Sequence, residues 1–124
     1  MKNYTSYESV VSEFPGAVQE NKFQHFWELV GNTPMLEIIY RYKKDCRRIF
    51  VKCEHYNLTG SIKDRMALYI LQKAYQNEQI KKADVIIEAT SGNTGISFSA
   101  IGRALGHDVK IIMPDWMSKE RIEI

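Results

Sequence analysis

The 124-residue sequence predicts an α/β fold built on a parallel sheet. Three observations carry this expectation. Short runs rich in Ile, Val and Phe alternate with longer segments whose apolar residues recur at helical spacing. Turn-forming residues separate the two kinds of segment. The order strand, helix, strand, helix, strand, helix requires right-handed crossovers that keep the strands parallel.

Taken in chain order, residues 1 to about 21 are polar and carry Pro15 and Gly16 as a turn signal, which reads as an irregular or weakly helical extension. Phe23, Phe26, Trp27 and Val30 stand at helical spacing and predict a short amphipathic turn docked on a core. Gly31–Pro34 (GNTP) breaks it. Met35–Tyr40 and Arg48–Glu54 read as strands. The basic run Arg41–Arg48 between them reads as a solvated connection. Ser61–Asn77 predicts a helix, with Ser61 and Asp64 at capping-box spacing and Ile62, Met66, Ala67, Ile70, Leu71 and Ala74 on one apolar face. Asp84–Glu88 predicts a short strand whose centre, Val85 to Ile87, is buried on both faces. Thr94–Leu105 predicts a helix stopped by Gly106. Val109–Met113 is the next strand, ended by Pro114, and Ser118 is placed to cap a further helix. That last helix would be left in its second turn at Ile124, the pattern of a truncated chain.

Composition narrows the function. Hydrophobic residues make up 44% of the chain, enough for one modest core. Seventeen Lys and Arg against 15 Asp and Glu leave a charge of +2, with no pull toward nucleic acid or a membrane surface. Cys46 and Cys53 make no disulfide framework, and Cys53 in a strand-like run is expected to be a buried thiol. No Cys/His cluster has metal-ligand spacing, so no metal is expected. No apolar run is long enough to span a bilayer, residues 1–20 have no secretory core, and a cytoplasmic location is expected. Trp27, Tyr40, Tyr42, Tyr69 and Tyr75 read as packing or surface aromatics, and neither His55 nor His107 has a partner pattern for general-base work.

Two runs carry chemistry. Asn57–Arg65 (NLTGSIKDR) puts Lys63 at a helix start, where the positive end of the helix disfavours an ammonium and burial would act in the same direction. A lysine amine freed of its proton can attack an aldehyde. Ala89–Ile96 (ATSGNTGI) offers free backbone N–H groups at a second helix start, a glycine that admits close approach, and the hydroxyls of Thr90, Ser91 and Thr94. A carboxylate or a phosphate suits it. Each run lies between a strand end and a helix start, so both can face one crevice.

Together the runs resemble the cysteine synthase and cystathionine beta-synthase branch of pyridoxal-phosphate enzymes of fold type II, the fold of the tryptophan synthase beta subunit. The likeness extends to Val30–Met35 (VGNTPM) and to Met113–Arg121 (MPDWMSKER), and so covers about residues 26–124. It implies a three-layer α/β architecture, with residues 1–25 as an N-terminal extension and 26–124 as most of the smaller N-terminal domain, the second domain being absent.

By position, the resemblance implies that Lys63 bonds the pyridoxal 5'-phosphate aldehyde and later shuttles the alpha proton. Asn93 would hydrogen-bond the cofactor's ring oxygen. Thr90, Ser91, Gly92, Asn93 and Thr94 would form the turn that grips the substrate carboxylate. The wording TSGNTGI favours beta-replacement, with O-acetylserine as the activated serine and sulfide or another thiol as nucleophile. Cystathionine beta-synthase chemistry on serine and homocysteine is the alternative, although His25 has no upstream cysteine to suggest that branch's haem. Leu58 in place of the usual proline and Trp116 in place of a smaller or polar residue depart from the family pattern, and bear on the substrate more than on the cofactor. The family's phosphate cup falls outside these residues. Without that cup the isolated chain is expected to be inactive, and the resemblance implies a homodimer when full length. A non-catalytic truncated domain with a binding or regulatory role is the reading from a different class.

Overall fold

A computed structural model describes the backbone of residues 15–119, and the side chains from Lys22 onward. The elements are α1 (Pro15–Leu29), β1 (Met35–Tyr42), β2 (Asp45–Lys52), a 3-10 turn (Glu54–Tyr56), α2 (Lys63–Gln76), β3 (Val85–Ala89), α3 (Asn93–Leu105) and β4 (Asp108–Ile112). The expected features of residues 1–14 and the helix beyond Ser118 lie outside the described residues.

Pro15 and Gly16 open a helix instead of forming a turn. Proline suits the first helical position, where its missing N–H would have no partner. Helix α1 therefore runs through residue 25 and is longer than the short turn expected. It delivers Phe23 and Val30, 5% and 2% exposed, to a core completed by Ala67, Leu68 and Leu71 of α2 and by Phe98, Ile101 and Leu105 of α3. The Phe23 ring meets Tyr75 edge-on at 5.6 Å. Trp27 stays at the margin, its indole N–H donating to Gln72 at 2.9 Å.

The strands divide into two sheets. β3 and β4 pair in parallel, Val85 opposite Asp108 and Ala89 opposite Ile112, with α3 as the crossover. β1 and β2 form a separate antiparallel hairpin, Met35 opposite Lys52 and Tyr42 opposite Asp45. The basic run is thus mostly strand, and only Lys43 and Lys44 make the connection, Lys43 at a φ of 56°. Charge marked exposure there, and strand pairing used the rest. Among the described residues every position of the hairpin is exposed, so its Ile, Phe and Val pattern gives strand but not a buried face.

Two expected faces differ in detail. β3 alternates: Val85 and Ile87 are 48% and 61% exposed, while Ile86 packs against the core. It is covered on one side only among the described residues, not on both. On α2 the buried stripe is Asp64, Ala67, Leu68 and Leu71, whereas Ile62, Met66 and Ile70 are exposed. A buried carboxylate at one end of the stripe rotates the helix away from the purely apolar choice. Cys53 is buried as expected.

Helix α3 lies close on its sheet because two positions lack side chains. A methyl group at Gly102 would stand 2.8 Å from Val109 and 2.9 Å from Ile86, and one at Gly95 would stand 2.8 Å from Thr90. The helix ends at Gly106, with φ of 94°, the left-handed conformation that a glycine reaches at little cost. The next residue, His107, is 1% exposed and fully used: Nδ1 lies 2.7 Å from the Asp84 carbonyl and Nε2 lies 2.6 Å from the Tyr75 hydroxyl. A carbonyl only accepts, so Nδ1–H donates to Asp84.

Two substitutions test this packing. Ile101 is 0% exposed, and Ile101→Ala is expected to cost about 2–5 kcal/mol. Gly102→Val forces a branched side chain between helix and sheet and is expected to cost about 1–3 kcal/mol. Thermal or urea unfolding of the intact protein measures both. A loss under about 0.5 kcal/mol, typical of an open surface position, would contradict the packing.

Candidate active site

Lys63 is the first residue of α2 and its side chain is exposed rather than buried. Its backbone N–H donates to the Ser61 hydroxyl at 3.1 Å. Among the described residues its amine has no hydrogen-bond or ion-pair partner. The expected capping box does not form. Asp64, the next residue, is 0% exposed and turns away from Ser61. Its Oδ2 accepts the Thr59 backbone N–H at 2.6 Å, and its Oδ1 accepts the Thr59 hydroxyl at 2.5 Å and the Ser97 hydroxyl at 2.5 Å. A buried carboxylate is costly without such donors, and here three of them face it.

Ser97 belongs to α3. Its hydroxyl also lies 2.9 Å from the Asn93 carbonyl one turn earlier. A chain of direct contacts therefore leads from Lys63 through Asp64 and Ser97 to Asn93. Sequence reasoning placed both motifs at one crevice because each follows a strand. In the structure only the second follows a strand of the parallel sheet. The lysine loop follows the separate hairpin, and contact through Asp64 joins it to α3.

The second motif is anchored by Thr90, whose backbone N–H donates to the Ile112 carbonyl at the end of β4 at 3.0 Å. The Thr90 hydroxyl accepts the Gly92 N–H at 3.3 Å, closing the turn. Gly92 caps α3 in an extended conformation, and no side chain caps this helix start. A side chain at Gly92 would meet nothing within 4 Å. Gly92 and Asn93 are exposed, and Thr90, Ser91 and Thr94 are half-buried. Thr90–Asn93 line one end of a cavity of about 710 Å³ that continues along Ile96, Ser99, Ala100 and Arg103 of α3 to Ile111 and Met113. Lys63 and Thr94 are not among its lining residues.

A second polar network, not assigned from sequence, ties the lysine loop to the Gly31–Pro34 segment. Glu54 receives Arg65 through Nε at 2.8 Å and Nη2 at 3.0 Å, the Thr33 hydroxyl at 2.8 Å, and the Asn57 amide at 2.8 Å. The Asn57 side-chain oxygen in turn accepts the Gly31 N–H at 2.8 Å. Gly31 sits at a φ of 97°, with the Arg65 guanidinium 3.1 Å from where a methyl would stand. The signal for this network was present in the motif's own residues, but Glu54 lies outside it and nothing in spacing links Glu54 to Thr33. The Arg65 hydrogen bond, helped by Asn57 and Thr33, holds the Glu54 carboxyl down to about 2, and Glu54 in return raises Arg65.

The pyridoxal-phosphate dependent enzyme family matches residues 26–124. Cysteine synthase B of Salmonella typhimurium is 44% identical over 94 residues, covering 76% of this chain and 31% of that protein. The crystal structure of a hydrogen sulfide-producing enzyme from Fusobacterium nucleatum superposes with a TM-score of 0.81 at 63% identity, covering 84% of this chain and 31% of that one. A cysteine synthase from Entamoeba histolytica superposes with a TM-score of 0.68 at 37% identity, over 79% of this chain and 30% of that one. The chain thus spans about a third of the length of the relatives it matches. No helix among the described residues is long and apolar enough to cross a membrane.

The Glu54 network makes a signed prediction. A carboxyl held to about 2 when folded, against 4.5 ordinarily, stabilises the fold fully above 4.5. That contribution shrinks as pH falls from 4.5 and is gone once pH passes below about 2. Glu54→Gln is therefore expected to lower the melting temperature at pH 7 and to flatten its fall between those two values. A pH series of thermal melts measures both, and parallel curves for parent and variant would contradict the assignment.

Proposed function

Because this chain belongs to the pyridoxal-phosphate dependent enzyme family, we propose that it supplies the cofactor lysine and the substrate turn of a cysteine synthase-type beta-replacement enzyme. The substrates are an activated serine such as O-acetylserine, and sulfide. One observation supports the reading: Asp64 and Ser97, both 0% exposed, bond at 2.5 Å and tie the helix that Lys63 begins to the helix that Asn93 begins.

The residues present fit the cofactor. Lys63 offers an exposed amine with no competing partner among the described residues. The α3 start has backbone donors, no side-chain cap, and open space at Gly92 beside the cavity. When bound, pyridoxal 5'-phosphate supplies the electron sink that makes the substrate's alpha proton removable. Lys63 would hold the cofactor through Nζ and, once displaced from it by substrate, its free amine would take and return that proton. Asn93 would hold the cofactor's ring oxygen with its side-chain amide. Thr90, Ser91, Gly92, Asn93 and Thr94 bind the substrate carboxylate through helix-start N–H groups and hydroxyls, an arrangement suited to an anion. The family match over 26–124 supports reading those residues as part of a smaller N-terminal domain, after an extension at 1–25. A cytoplasmic homodimer is the form we propose for the intact enzyme, by resemblance to the family.

A second reading has its own support. The 63% identity to a hydrogen sulfide-producing enzyme exceeds the 44% to cysteine synthase B. The same lysine and turn would then act on cysteine, with sulfide as the group that leaves.

Both readings are tested on the intact natural protein by measuring cysteine formed from O-acetylserine and sulfide, and sulfide released from cysteine. The first reading expects the larger kcat/KM for synthesis. A larger value for release moves the assignment to the second, and the absence of both activities rejects the two together. In either reaction Lys63→Ala is expected to lower kcat by about 10²–10⁴-fold, the usual contribution of a positioned acid–base group.

A further inference from the structure

We propose that Asp64 is a positioning residue for this reaction: its buried carboxylate fixes where Lys63 stands relative to the Asn93 turn. The proposal rests on reading Lys63 as the cofactor lysine. Helix capping does not explain the carboxylate's direction. A capping Asp would turn back to the Ser61 N–H, whereas Asp64 reaches across to α3 and takes the Ser97 hydroxyl at 2.5 Å. Both residues are 0% exposed, so water has no access to replace that bond. The Lys63 amine has no partner of its own among the described residues, so its base is what can be fixed. That base is held on one side by Ser61, through the Lys63 N–H at 3.1 Å and the Asp64 N–H at 3.2 Å. On the other side it is held by Asp64.

The Thr59 contacts add the lysine loop to the same anchor. One carboxylate therefore joins three pieces of backbone: the loop before the lysine, the helix that begins with it, and the helix that begins with Asn93. Hydrogen bonds to a carboxylate are shorter and about twice as strong as neutral ones. They suit an anchor that must resist displacement as substrate enters and leaves. Asp64 is sealed from solvent and fully engaged by Thr59 and Ser97, so its effect runs through Lys63.

The test is Ser97→Ala in the intact, cofactor-loaded protein, which removes the cross-helix bond and leaves Lys63 and Asp64 in place. Turnover per bound cofactor at saturating substrate is expected to fall about 100-fold, the scale of a misplacement of about one ångström. KM should move far less, and Ser97→Thr, which keeps the hydroxyl, should restore most of the rate. A merely structural role would lower the melting temperature and the cofactor content but leave turnover per bound cofactor at the parent value; that result overturns the proposal. If Ser97→Ala does not fold, Thr59→Val removes a different hydroxyl from the same carboxylate. It is expected to lower turnover per bound cofactor about tenfold, and a parent-like value would again overturn the proposal. Lys63→Ala separates the two layers. Loss of the lysine-bound cofactor absorbance upholds the premise. Its persistence removes the premise, a result distinct from parent-like turnover in Ser97→Ala.

Discussion

A single buried carboxylate organises this chain. Asp64 is sealed from solvent and satisfied by Thr59 and Ser97. The two chemical motifs sit on different helices, and those helices start from two sheets that share no strand. Apolar packing of Ala67, Leu68 and Leu71 against Phe98, Ile101 and Leu105 brings α2 and α3 together, but such contacts are non-directional and would tolerate a sliding or rotated helix. The Asp64–Ser97 bond is directional. Losing either partner would leave a buried polar group unpaired, at a cost of about 1–3 kcal/mol or more. That cost selects one register between the helices, and with it one spacing between Lys63 and Asn93.

Around this anchor the remaining interactions hold the frame. Gly95 and Gly102 let α3 settle onto β3 and β4, so the turn at its start is tied to the end of the sheet by the Thr90–Ile112 bond. At the opposite end of α3, His107 joins Tyr75 of α2 to the backbone before β3. Helices α2 and α3 are therefore clamped by polar contacts at both ends and by apolar contacts between them. The Glu54–Arg65 network does comparable work for the Gly31–Pro34 segment. It is half-exposed at Arg65, so it steadies a loop rather than defining the core.

Much of this was legible in the sequence, and the reason is local. The helices α2 and α3, the strands β3 and β4, and the Gly106 stop follow from periodicity and turn chemistry that act within a few residues. Each of the four runs that resemble the family is an unbroken stretch of sequence, so Lys63 and Thr90–Thr94 stood out as candidates before any coordinate. What escaped was set by distant partners. Asp64 looked like half of a capping box because its true partner is 33 residues away. Its burial rotated α2, so Met66 and Ile70 were assigned to the wrong side. The hairpin's apolar residues predicted strands correctly, yet no cover for either face occurs among the described residues, and alternation alone cannot report that. Pro15 read as a turn because proline is ambiguous between turning and starting a helix.

The assignment of Lys63 is the step on which both functional readings stand. Borohydride reduction of the cofactor-loaded intact protein, followed by peptide mapping, tests it most directly. Stable attachment of the cofactor to the peptide containing Lys63, and its disappearance in Lys63→Ala, is the expected result. Attachment to a different lysine, with Lys63 unmodified, would contradict it.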